Sequence, residues 1–160
     1  MKKTVFVVLV LCLMGFSSIT VFANEGPLGL TGFGVYGSVG STAGNLGGGI
    51  GLSLKWGQFP VVGLQYDLSV SRVNASIDYY VIDAEGLARN FSYFVGGGLY
   101  AGIGGNGENV AFDMGLRIPV GLQFWPVRKF ELFLSPIITI PLVPSPGVGF
   151  GAEFGARVRF

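Results

Sequence analysis

The side chains able to do chemistry are few, and their types narrow the field at once. The chain has no His, one Cys and 19 charged groups, 10 Lys and Arg against 9 Asp and Glu, in 160 residues. Without His there is no imidazole general base and no His metal ligand. Cys12 sits in an apolar run behind Leu11, where lipid attachment would want a small residue. The run Gly96-Gly97-Gly98 is no phosphate cradle, because it lies inside a strand pattern with no helix and no Lys-Ser/Thr after it. Asp113 and Glu131 are the carboxylates to weigh for paired acid–base work, and salt bridging is the stronger reading of both. No catalytic, cofactor-binding or metal-binding residue is expected, and no enzymatic activity. A near-neutral, charge-poor chain also lacks the basic footprint of a nucleic-acid binder.

The first 23 residues read as an address. Lys2 and Lys3 precede an apolar run over 4–16; Ser17 and Ser18 follow, then Val21-Phe22-Ala23. This is the charged, apolar and small-residue succession of a secretory signal peptide, with cleavage expected after Ala23. The remaining domain, 24–160, has no Cys and so no disulfide. It holds eight basic and nine acidic groups once Lys2 and Lys3 are gone. No stretch of it approaches the ~20 apolar residues of a membrane helix.

What recurs instead is period two, the signature of strands. Val110, Phe112, Met114, Leu116, Ile118, Val120, Leu122 and Phe124 share one face; Ala111, Asp113, Gly115, Arg117, Pro119, Gly121 and Gln123 share the other. The same alternation of apolar with small or polar residues predicts strands over about 30–40, 46–56, 62–70, 73–83, 91–103, 110–124, 130–140 and 148–160. Turns are expected at 41–45, 57–58, 71–74, 83–90, 104–109, 126–128 and 143–147, where Gly, Pro and Asn collect. The turn at 71–74 has no Gly or Pro to mark it. Strands so linked make an antiparallel meander.

The decisive question is which face points out. A soluble barrel hides its apolar face, whereas a membrane barrel gives that face to lipid. Here the polar face is mostly Gly with few charges, which suits a crowded lumen better than a solvated surface. Strands of ten or more residues match a tilted bilayer crossing. Trp56, Phe59, Trp125 and Phe130 flank two turns as interfacial aromatics would. The expected fold is therefore all-β: an eight-stranded antiparallel up-and-down transmembrane β-barrel, monomeric, with both ends of the domain on the inner side. A secreted lipocalin-like ligand-binding barrel is the water-soluble alternative. Under the membrane reading the inward charges are Lys55, Asp67, Asp78, Asp113, Arg117, Glu131, Glu153, Arg157 and Arg159. A lone charge in such a lumen is costly, so pairing is expected. One feature runs against the pattern: outer loops are normally the longer set, yet the longest predicted connection, 83–90, is on the inner side, which leaves the register of the fourth and fifth strands open.

Several stretches resemble known small barrels. The chain looks like the eight-stranded outer-membrane barrels of the OmpA, OmpX and OmpW kind. Asp78-Tyr79-Tyr80, the run from Gly96 to Gly102, the stretch from Leu116 to Leu122 and Glu131-Leu132-Phe133 are similar to a spirochaetal family of such barrels. The resemblance implies residence in the bacterial outer membrane, with lipid as the surrounding partner. The terminal Phe160, after an alternating strand, resembles the signal read by the barrel-insertion machinery. OmpA-like barrels imply a salt-bridged, largely filled lumen and a structural or surface-interaction role, with a host surface protein as a possible partner. The alternatives are a narrow, porin-like channel and a conduit for a small lipophilic ligand; the OmpW likeness places such a ligand near Tyr36, Tyr80, Phe94 and Tyr100. The enzymes known on this architecture use His, which is absent.

Overall fold

The computed structural model describes residues 31–42, 45–105, 110–127 and 129–160. The expected signal peptide and its cleavage position at Ala23 lie outside them. Eight strands follow in order: β1 (Thr31–Thr42), β2 (Asn45–Trp56), β3 (Val61–Asp67), β4 (Arg72–Ala88), β5 (Phe91–Gly104), β6 (Ala111–Val127), β7 (Phe130–Val143) and β8 (Gly149–Arg159). Each pairs antiparallel with the next, and β8 returns to β1, so the sheet is a closed barrel. Closure leaves no edge strand to recruit another chain. The start of β1 and the end of β8 share one rim, called here the terminal rim; the connections at 68–71 and 144–148 lie at the opposite, distal rim.

The burial pattern is inside out. Leu52, Leu64, Leu99, Val120, Leu134 and Phe154 point outward, each about half exposed, and Phe154 reaches 54%. Lys55 and Glu131 are 0% exposed, Arg159 2% and Arg157 3%. Charges thus occupy the interior, and the exposed apolar side chains lie on all eight strands. Isolated apolar residues on a surface are ordinary, but a continuous apolar band is not. This is the reverse of the water-soluble barrel.

Glycine makes the interior possible. A mid-lumen cluster joins Tyr36, Val61, Tyr80, Phe94 and Phe133. The Phe94 ring occupies the place a Cβ on Gly121 would take, and such an atom on Gly96 would come 2.8 Å from the Tyr80 ring. A Cβ on Gly51 would come 2.7 Å from the Tyr36 ring, and one on Gly155 2.9 Å from that of Phe133. Each ring therefore lies over the bare backbone of its own ladder partner on the neighbouring strand, the large-against-small fit a small barrel demands.

Two boundaries differ from the period-two reading. β3 stops at Asp67 rather than near Val70, because Asp67 Oδ1 accepts the Ser69 N–H at 2.9 Å and turns the chain. An aspartate bonding its own backbone two residues on is a turn signal as good as Gly or Pro. β4 continues past Asp83 to Ala88, so the expected inner connection 83–90 shrinks to Arg89-Asn90. Register shifts between Tyr80 and Ile82, Ile82 and Glu85, and Gly86 and Ala88 break the alternation. A bulge adds a residue to one strand and flips which side chains face inward, so strict period two loses the strand there. With β4 extended, this inner connection is shorter than the one at 144–148 on the distal rim.

Gly121→Ala should destabilise the barrel by about 1–3 kcal/mol, the usual cost of overpacking. Adding Phe94→Leu should recover part of that loss. Urea unfolding of the two variants in detergent, followed by Trp fluorescence, measures both.

Candidate functional site: a charge-paired lumen

The antiparallel register builds the lumen chemistry. Glu131 on β7 is the direct ladder partner of Arg157 on β8, and Arg159 is two residues further along the same inward face. Cross-strand neighbours on one face are near enough for opposite charges to meet. Glu131 Oε1 accepts from Arg157 Nη1 at 2.9 Å and from Gln123 Nε2 at 3.0 Å, while Oε2 accepts from Arg159 Nε at 2.6 Å. Both carboxylate oxygens are thereby satisfied.

The network runs on around the wall. Arg157 Nε donates across the lumen to Ser53 Oγ on β2 at 2.9 Å. Gln123 Oε1 accepts from Ser92 Oγ on β5 at 2.9 Å, and Ser92 Oγ accepts the Trp125 indole N–H at 2.8 Å. Arg157 also lies over the Phe133 ring, 4.0 Å from its centroid. Beside this cluster Lys55 forms a buried ion pair with Asp83, its ammonium 4.6 Å above the Tyr80 ring. Tyr80 stacks on Phe94 with centroids 4.5 Å apart. The terminal half of the lumen is thus closed by paired charges resting on aromatic rings.

The distal half is different. Arg117 Nε meets Asp78 Oδ1 at 3.1 Å, and its Nη2 donates to both oxygens of Glu153 at 3.1 Å. Arg72 pairs with Asp113 at 2.9 Å, where both side chains are partly exposed. Above the Arg117 layer lies a cavity of about 530 Å³, reaching to the 144–148 connection.

Of the nine charges placed inward by alternation, eight take part in these ion pairs. Asp67 does not; it bonds Ser69 at the distal rim. Asp113 and Glu131 do not share a site: each is held by arginine, one toward the distal rim and one toward the terminal rim. Tyr36, Tyr80 and Phe94 pack in the core cluster, whereas Tyr100 lines the cavity. Trp56, Phe59 and the terminal Phe160 are exposed at the terminal rim, and Phe130 is partly buried there. Trp125 corrects the expectation of an interfacial aromatic. It has the inward parity of Gln123, is 8% exposed and spends its indole N–H on Ser92. Its own period-two position was the available signal, outweighed by its place beside a turn.

Alternation missed two partners. Arg72 was assigned to a turn, and Asp83 was hidden behind the β4 bulges. Gln123, Ser53 and Ser92 stood on the polar face with no role attached. Among the described residues no group of three or more His, Cys, Asp or Glu side chains could hold a metal ion.

No family model matches the chain, and no curated protein matches it. Among solved structures, the N-terminal β-barrel domain of Pseudomonas aeruginosa OprF is similar, with a TM-score of 0.48 and 15% sequence identity, over 80% of this chain and 99% of that one.

Removing one partner of a buried pair leaves an uncompensated charge, which costs about 3–5 kcal/mol. Glu131→Gln, which abandons two arginines, should fall in that range. Arg72→Met, at a partly exposed pair, should cost under about 1 kcal/mol. Chemical unfolding of the two variants side by side measures the contrast.

Proposed function

We propose that the protein is a small integral outer-membrane β-barrel with a structural or surface-interaction role and a lumen closed at its terminal half. One observation carries this reading: an all-round apolar exterior encloses fully buried Lys55 and Glu131. Water would penalise that exterior, whereas lipid accepts it and demands that every backbone group be paired, as closure achieves. Seven of the eight strands have 11 to 17 residues and β3 has 7, against roughly 9–11 for a tilted crossing. The exposed aromatics Trp56, Phe59 and Phe160 suit one membrane interface.

On this reading the segment 1–23 directs export and is cut after Ala23. Phe160 engages the insertion machinery during biogenesis, and lipid is the permanent partner. The likeness to OmpA-type and spirochaetal barrels carries the interaction role, with a host surface protein as the kind of partner expected. The stacked rings and ion pairs of the terminal half speak against a through-channel, since no solvated ion passes without breaking several of them.

The refolded barrel should migrate differently on gels before and after boiling, and should carry no steady single-channel current in planar bilayers. Steady currents would overturn the closed lumen. Folding in plain buffer to a monodisperse species would overturn the membrane assignment.

A further inference from the structure

We propose that the distal half of the lumen is a dead-end vestibule that binds small organic cations. It deepens the membrane reading, which turns the distal rim toward the outer medium. The cavity of about 530 Å³ falls within the roughly 300–1,000 Å³ of small-molecule sites. Its floor is the Arg117–Glu153 pair and the Tyr36 ring; Tyr100, Asp67 and the Arg72–Asp113 pair stand in its walls. Below the floor the aromatic cluster blocks passage, so a solute that enters leaves by the same rim.

The charge of the site is not balanced. Three carboxylates, Asp67, Asp113 and Glu153, line it against two guanidiniums, Arg72 and Arg117. Asp67 and Arg72 are direct ladder partners, the arrangement most favourable for a salt bridge. They do not form one. Arg72 reaches the other way, past β5, to Asp113 on β6, and the absence of a side chain at Gly102 leaves room for it: a Cβ there would lie 2.9 Å from Arg72 Cδ. Asp67 Oδ1 accepts from Ser69, while Oδ2 lies over bare Gly47, 3.1 Å from where a Cβ would be. Asp67 thus has no cationic partner among the described residues, and its charge is available to a ligand.

The described connections around this rim add no cation: 68–71 and 144–148 contain no Lys or Arg. The connections at the opposite rim carry Arg89 and Lys129. A charge-lined cleft between low-dielectric walls concentrates the counter-ion, and here the counter-ion is a cation. No group of three or more carboxylates among the described residues is placed to hold a metal ion. Instead the wall offers Tyr36 and Tyr100, whose ring faces attract organic ammonium groups, and apolar surface from Ile137 and Pro141.

The experiment is an NMR titration of the refolded barrel in detergent with choline, using acetate and glucose as the anionic and neutral comparisons. Choline should give saturable shifts at the Asp67 and Tyr100 amides, and the other two should not. Asp67→Asn should weaken choline binding about tenfold, equivalent to about 1.4 kcal/mol, and Tyr100→Leu should weaken it several-fold. Gel migration before and after boiling checks that each variant is folded. The proposal is overturned if the folded wild-type barrel shows no saturable shift, if acetate or glucose binds as well, or if whichever variants fold bind choline unchanged. A wild-type chain that forms no heat-modifiable species sinks the membrane reading instead, so the two failures are distinguishable.

Discussion

The rest of this structure depends on how little room eight strands enclose. A barrel of that size is just wide enough for its own side chains to fill. Inward volume must therefore be shared between neighbouring strands, residue by residue. The chain meets this with 28 Gly in 160 residues. Phe94 is accommodated by Gly121, Tyr80 by Gly96, and Tyr36 by Gly51. Composition that would weaken a soluble strand, since Gly packs nothing and loses most entropy on ordering, is here what allows large rings to enter the lumen. The outer face, freed of this restriction, carries the bulky aliphatic residues.

The same confinement governs charge. With the apolar face turned outward, polar side chains have nowhere to go but inward, and a buried charge is tolerable only when paired and hydrogen-bonded. Pairing comes directly from register. Glu131 meets Arg157 across one ladder, and both its oxygens are saturated by three donors from β6 and β8. Arg117 bridges Asp78 on β4 and Glu153 on β8, tying nonadjacent strands together. Such ties between nonadjacent strands resist changes in barrel cross-section.

Most of the architecture was legible because period two survives along most of the chain. From Val110 to Phe124 every even residue is apolar, and the inward or outward direction of Arg117, Gln123 and Glu131 follows from counting. What failed to read had local causes. Asp67-Leu68-Ser69 makes a turn by side-chain bonding, which composition does not advertise. The bulges of β4 change parity after Tyr80, so Asp83 looked like the start of a loop. Trp125 was judged by residue type and position near a turn, although its parity agreed with its neighbours Gln123 and Glu131. Pairing geometry lay beyond sequence altogether: nothing in it tells Arg72 to pass over Asp67 for Asp113.

Asp83 and Asp67 show how position along one lumen separates structure from availability. Asp83 is buried near the terminal rim, where an unpaired carboxylate would lose its water with no compensation. The β4 bulges bring it to Lys55, and the pair neutralises both groups. Asp67 lies at the distal rim and is partly exposed, so water still screens it and the penalty for lacking a cation is small. The barrel can therefore keep an open negative charge there without losing stability. The level at which the aromatic cluster sits marks this division: below it Lys55, Asp83, Glu131, Arg157 and Arg159 are all held in ion pairs, and above it Asp67 is not.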